Sequence, residues 1–497
     1  MTTPHHATPR RPGPAVHCRA LTGDLGAVSA AHPSAAAAAV RALQAGGTAV
    51  DATIAAQAVV AVLMPHSAGL GGDMFALVHE PDGTVGAVNG SGRSAARPVP
   101  GGSATGIGIG AQVTVPGMVA GWFAAHERYG RLPVTEILAP ARRLARRGAV
   151  VDTDLAAAVA QQRPRLQAGG AGGWDLLALS AGDRWRQPAL ADALDALAGQ
   201  GPDAFYRGPA AAAITAAVGR HGGTLSVDDL AAHVTDLSPP LALAWDGGNA
   251  HVQPPPSQGV LLAMALAWLQ DRPPADDHLL VELTEAVFAH RADCFRGAAL
   301  LDAELVVDPE RATRRGGPRA YLHTAGVAVA DAAGMVVSSL VSVFDDFGSG
   351  IWVPELGCTL NNRGAGFTDG ANAPAAGARP VHTLAPALTV DRNGDVLALA
   401  TPGADGQIQT LLQVLTALRR GDDLATAVAA PRWRSEHAEL LVEAGHPARD
   451  DLSARGHGVR DRDGGDPVFG AVVAAGTRRG APYAAADWRR FVWSAVA

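Results

Sequence analysis

Thr324-Ala325-Gly326-Val327-Ala328-Val329-Ala330 runs into Asp331-Ala332-Ala333-Gly334, and apolar sequence resumes from Val336 to Val343. Val327 and Val329 alternate as they do in a strand, and Asp331–Gly334 has turn chemistry, so the stretch predicts a β-hairpin that begins at Thr324. A second hairpin follows, Leu384–Val390 and Val396–Ala400, joined through Asn393-Gly394, a strong two-residue hairpin signal. Thr401-Pro402-Gly403-Ala404-Asp405-Gly406 then opens a helix predicted from about Gln407 to Leu418. Upstream of residue 300 the periodicity is mostly helical: Pro33–Gln44, Asp51–Leu63, Thr135–Arg147, Val227–Ala232, Gly259–Leu269 and His278–Arg296. One hairpin interrupts it, Met74–His79 and Thr84–Val88, after the turn Gly69-Leu70-Gly71-Gly72-Asp73. Helices and strands in separate blocks predict an α+β layered sandwich rather than a doubly wound parallel sheet. Asp302–Gly317, polar and Arg-rich, reads as an exposed connector just before Thr324.

The 497 residues carry 48% hydrophobic and 18% charged side chains and a net charge of -7, the balance of a well-buried protein with no call for a polyanionic partner. All 40 basic residues are arginine. That excludes a P-loop lysine, a Schiff-base lysine and a Ser-Lys dyad. Cys18, Cys294 and Cys358 are too scattered for a disulfide framework or a zinc ribbon and suit a reducing compartment. Residues 1–26 read as a loose tail without an apolar signal segment, and no stretch has the unbroken length of a membrane span. The expectation is a cytoplasmic protein without nucleic-acid or membrane partners.

A threonine hydroxyl is a weak nucleophile unless a base takes its proton. A threonine that begins a chain carries that base in its own α-amine, with a pKa near ~8. Such a site needs threonine at a strand start and backbone amides facing it to hold an oxyanion. Thr324 heads a strand, and Gly403-Ala404 lie at a strand-to-helix turn. Threonines begin many strands, so this pattern alone does not separate a nucleophile from an ordinary strand residue.

An ordered set of motifs adds to it. Gln44–Ala52, Gly69–Phe75, Val113–Gly121, Gly201–Gly208 and Pro256–Gly259 resemble, in order, the large-subunit half of the γ-glutamyltransferase (glutathione hydrolase) family. Thr324–Gly334, Phe347–Gly350, Leu360–Phe367, Arg379–Pro386, Thr401–Gly406 and Ala429–Trp433 resemble the small-subunit half. The resemblance implies a four-layer αββα N-terminal-nucleophile fold and self-cleavage between His323 and Thr324. Residues 27–323 and 324–497 would then be large and small fragments of one composite catalytic domain, held together as a heterodimer that can assemble further. It implies attack by Thr324 on a γ-glutamyl amide, with the acyl-enzyme resolved by water or an amine acceptor, and no cofactor or metal. Gly403 and Ala404 match the oxyanion-hole amides, and Arg93 matches the arginine that meets the substrate carboxylate, a task suited to a bidentate fork.

The chain departs from the family at informative places. Ala325 and Gly326 replace a threonine and a histidine, and Ala404 replaces a glycine, a change that keeps the amide if the turn does not need positive φ. The aspartate that binds the glutamyl amine falls at Gly366, the neighbouring glutamine at Arg363, an asparagine at Phe344, and the paired serines at His382-Thr383. Arginine without an acidic partner disfavours an ammonium, so the acyl group is expected to carry a carboxylate and no amine, unless Asp345 or Asp346 supplies the charge. Alternatives are an amidase acting on an oxamate-type or cephalosporin side-chain acyl group, and an unprocessed chain that only binds a small carboxylate. His278, Glu282, Glu285, His290, Asp293 and Cys294 share one predicted helix, but they wind around it, and a solvated polar face is the better reading than a metal site. Gly106–Gly110 reads as a connector and Ser257 as a helix cap.

Overall fold

The computed structural model describes residues 18–97, 109–315 and 324–497, so Gly106, Gly108 and His323 fall outside it. Two seven-stranded sheets stack face to face, with helices on both outer sides. The first sheet runs Trp493–Val496, Gly26–Ala30, Ala325–Asp331, Val336–Ser342, Asp73–His79, Val85–Gly90 and Asp236–Ser238. The second runs Leu21–Thr22, Ala481–Ala486, Val473–Arg478, Val396–Ala400, Ala387–Val390, Gly248–Val252 and Leu241–Trp245.

Alternation along the strand that follows Thr324 decides its two faces. Val327 and Val329 join the core under the helices, whereas Ala328 and Ala330 point between the sheets. Small residues on that inner face let the sheets close up, and the Ser338 hydroxyl donates across the gap to the Leu399 carbonyl at 2.7 Å. Ala49–Leu63 is buried on every side, which its unbroken apolar composition allows. Its polar residues are used: Asp51 forms a capping box with Thr48, the Thr53 hydroxyl donates to the Ala49 carbonyl, and Gln57 bridges the Ser339 hydroxyl and the Trp122 indole. Gly259–Gln270, Asp277–Phe288 and Gly406–Arg419 cover the other sheet with Leu262, Leu283, Leu411 and their neighbours.

Three expectations need correction. The predicted helix His278–Arg296 stops at Phe288, and a 3₁₀ segment, Arg291–Leu300, follows with Gly297 at φ 54. His290, Asp293 and Cys294 therefore do not share an α-helix with His278, and the face that carries His278, Glu282 and Glu285 is buried rather than solvated. Thr135–Arg147 is two helices, the second starting at Ala139 with Pro140 in its first turn, where the missing N–H costs nothing. Residues 18–26 are not all tail: Leu21–Thr22 pairs with Tyr483 and Ala484, and Gly26 pairs with Asp331.

Candidate active site

Thr324 is 5% exposed and stands immediately before the Ala325–Asp331 strand. Ala325 opposes Val341 and Ser342 opposes Asp73, so the ladder aligns Thr324, Ser342 and Asp73 across three neighbouring strands. By parity Thr324 shares the inner face with Gly326 and Ala328, and a Cβ at Gly326 would lie 3.7 Å from the Ala400 Cβ on the second sheet. Two residues further along, Thr324 therefore meets the turn that follows Ala400. A cavity of about 410 Å³ opens there, with Thr324, Pro402, His66, Asp345, Asp346 and Arg490 in its wall. His66 is driven by burial down to about 4, so it is uncharged at neutral pH.

The turn itself is held from two sides. Gln258, fully buried, donates from Nε2 to the Ala404 carbonyl at 2.9 Å and to the Thr383 carbonyl at 2.8 Å. Arg434 donates to the Gly403 carbonyl at 3.3 Å and to that of Val468 at 2.7 Å. With their carbonyls occupied, Gly403 and Ala404 keep N–H groups that no acceptor among the described residues takes. They adopt φ 128 and φ 48. The turn does require positive φ at Ala404, so the alanine retains the amide at the cost of backbone strain of about 1 kcal/mol.

Contrary to expectation Arg363 has an acidic partner: it and His382 converge on Asp73, and Thr383 meets Arg363. Arg363 Nε lies 3.1 Å from Asp73 Oδ2, its Nη1 reaches the Thr383 hydroxyl at 3.4 Å, and its guanidinium stacks on Phe344 at 4.6 Å. His382 Nδ1 accepts from the Leu384 N–H at 3.2 Å, which places its proton on Nε2, facing Asp73 at 3.3 Å. Burial, then the Arg363 charge, push His382 down to about 4. Burial works against a charged Asp73, but the His382 hydrogen bond and Arg363 outweigh it and hold the carboxyl below its usual range. Arg363 Nη2 has no hydrogen-bond partner among the described residues. Phe344 itself sits at φ 83, a conformation an asparagine adopts more readily.

Arg93 does not line the Thr324 cavity. It is exposed, donates to the Gly377 carbonyl at 3.1 Å, and edges a second depression of about 350 Å³ with Arg379, Phe367 and Asn372. The Asp73 cluster lines neither recess but neighbours both along the chain: Phe344 precedes Asp345 of the first, and the Gly92 N–H, next to Arg93, donates to Asp73 at 3.4 Å. Asp345 faces the Thr324 cavity but is already engaged by Arg165 at 3.2 Å and Asn362 at 2.7 Å. Among the described residues no group of three acidic, histidine or cysteine side chains is placed to hold a metal. Ser257 accepts from the Gly259 N–H at 2.9 Å at the head of its helix and is structural.

Reading the sequence by motif passed over Asp73 and Gln258, although both sit inside quoted motifs. The signal was the glycine pair: a Cβ at Gly71 would fall 2.1 Å from the Thr359 carbonyl oxygen, and one at Gly72 2.6 Å from that of Ser342. Only glycine lets the loop press so close, and the next residue is thereby buried beside the strand. Arg490 and His66 had no local signal, because they reach the cavity from segments remote from Thr324.

The γ-glutamyltranspeptidase family model matches residues 35–495. An oxamate amidohydrolase proenzyme of Klebsiella pneumoniae is 34% identical over 82% of this chain and 84% of its own. A glutathione hydrolase-like proenzyme of Bacillus subtilis is 32% identical over 87% and 91%. The crystal structure of a cephalosporin acylase from Bacillus halodurans superposes with a TM-score of 0.87 at 27% identity, covering 100% of this chain and 99% of that one. The αββα layers, the threonine at the head of an inner strand and these matches agree: the chain belongs to the γ-glutamyltranspeptidase family and is an enzyme of the N-terminal-nucleophile hydrolase type.

Proposed function

We propose that Thr324 is both the self-cleavage residue and the catalytic nucleophile, acting on the amide of a small acyl group that bears a carboxylate and no α-amine. In self-cleavage the Thr324 hydroxyl adds to the carbonyl carbon of residue 323. The C–N bond breaks, the hydroxyl proton passes to the departing nitrogen, and water hydrolyses the resulting ester. Fragments 1–323 and 324–497 remain associated. The freed α-amine then takes the hydroxyl proton while Thr324 attacks a substrate amide, the Gly403 and Ala404 N–H groups hold the oxyanion, and the leaving amine departs protonated. Water, or an amine acceptor, releases the acyl group.

The observation that carries the substrate class is Arg363. A buried guanidinium, paired with Asp73, stands where the family has an amine-binding residue, and its nitrogen without a partner among the described residues is a donor suited to an oxygen and not to an ammonium. Arg93 is the candidate for the outer carboxylate contact. The relationship to an oxamate amidohydrolase supports the same choice. A γ-glutamyl amide is the second reading, favoured by Asp345 and Asp346 in the cavity wall.

Intact mass of the wild type beside Thr324→Ala tests the nucleophile: the wild type resolves into two fragments and the variant stays whole. Turnover of oxamate, glutaryl anilide and γ-glutamyl anilide tests the acyl group. A strong preference for γ-glutamyl anilide overturns the amine-free reading and selects the second.

A further inference from the structure

Glu282 and Glu285 lie on the Asp277–Phe288 helix, outside the Thr324 cavity, and both turn toward the connector that leads to the cleavage bond. Glu282 is fully buried; its Oε1 accepts from the Thr313 N–H at 2.9 Å and its Oε2 from the Thr313 hydroxyl at 2.7 Å. Glu285, 5% exposed, accepts from the Arg315 N–H at 2.9 Å through Oε2 and from the Ser435 hydroxyl at 2.7 Å through Oε1. The Arg315 guanidinium also reaches Glu282 at 4.0 Å. Further back, the Asp308 carbonyl lies 3.0 Å from His278 Nε2, and the Ala312 N–H donates to the Arg455 carbonyl at 3.0 Å.

An exposed connector has no need of this. Water satisfies the N–H groups of a surface loop, whereas burying a carboxylate costs several kcal/mol before any partner is found. Two such carboxylates have nevertheless been placed under one strip of loop, at its last described residues before the nucleophile. Only residues 316–323 separate the last clamped residue from Thr324. Anchoring a chain a few residues before a reacting bond reduces the conformations over which that bond must find its nucleophile.

We propose that Glu282 and Glu285 are positioning residues for self-cleavage: they anchor the connector so that the bond before Thr324 is presented to its hydroxyl, and they retain the new chain end afterwards. The proposal rests on self-cleavage at Thr324 as put forward above. It assigns a maturation role to the two carboxylates that a sequence pattern would offer as metal ligands.

The test follows conversion of freshly made full-length chain by intact mass, for wild type, Glu282→Gln, Thr313→Val and the double variant. Turnover is then measured per mole of the fragment that begins at Thr324. Glu282→Gln slows conversion about tenfold, the equivalent of one hydrogen bond to a charged group, and Thr313→Val about threefold. The double variant is no slower than Glu282→Gln, because both changes remove the same contact. Turnover of the cleaved enzyme stays within about twofold of wild type. Thr313 is exposed, so its variant decides the matter if Glu282→Gln does not fold. Equal conversion rates overturn the proposal, as does a parallel loss of conversion and of turnover in the cleaved enzyme, which marks a scaffold role. A wild type that never cleaves overturns the Thr324 reading itself, a distinct result.

Discussion

Arg363 lies 3.1 Å from Asp73, and solvent reaches neither side chain. A buried pair of this kind adds little net stability, but removing one member leaves an uncompensated charge that costs roughly 3–5 kcal/mol. Asp73→Asn and Arg363→Met should each destabilise by about that much in urea unfolding. The double variant should cost clearly less than the two together. Strict additivity would show that the pair is not coupled.

Ala404 occupies the left-handed region that glycine enters freely. Ala404→Gly should stabilise the protein by about 1 kcal/mol, read as a higher denaturation midpoint. Its amide stays in place, so turnover should not fall. A loss of stability would mean that the alanine methyl, buried in the turn, contributes more than the strain removes.

His66 and His382 are both fully buried and both depressed from 6.5 to about 4. Between those values the unfolded chain binds protons that the folded chain refuses, so stability falls as pH drops through the window. Above pH 6.5 these two groups add no slope. Unfolding free energy measured from pH 7.5 to pH 4 should be flat at first and then decline. His382→Asn should reduce the decline, and an unchanged slope in that variant would remove His382 from the account.

Gly92 carries Arg93 into the second recess, and a Cβ there would lie 1.6 Å from the Val115 carbonyl oxygen. No side chain can yield to relieve that contact. Gly92→Ala should therefore cost about 3 kcal/mol and move Arg93. Arg93→Met, which leaves the backbone alone, should raise KM for a carboxylate-bearing anilide about tenfold with little change in stability, as loss of one charge-assisted contact implies. If KM is indifferent to Arg93, another cation meets the carboxylate.

The layers were legible because their periodicities are local. Val327 and Val329, Asn393-Gly394 and the Pro33–Gln44 helix each declare themselves within a few residues. Gly26–Ala30 did not: buried on both faces and Ala-rich, it has no alternation to read. The last strands, Val473–Arg478 and Ala481–Ala486, were passed over too. Thr324 and the Gly403-Ala404 turn emerged from motif order, and Ala400 facing Gly326 supplies the physical reason that they meet. The role of Glu282 was hidden for another cause. Helical spacing shows which residues share a face, whereas only the fold shows that Thr313 lies against it.

The strand order of the two sheets has a further consequence. Five ladders join strands from opposite sides of the 323–324 bond: Trp493–Val496 with Gly26–Ala30, Gly26–Ala30 with Ala325–Asp331, Val336–Ser342 with Asp73–His79, Leu21–Thr22 with Ala481–Ala486, and Ala387–Val390 with Gly248–Val252. A cut at that bond leaves every one of them intact, so the folded molecule scarcely registers it. The unfolded molecule does. One chain finds its partner strands within itself; two must meet by diffusion and interleave. Refolding of a cut chain would thus pass from first order to second order, and a cut enzyme would persist through the slowness of its unfolding rather than the ease of its return.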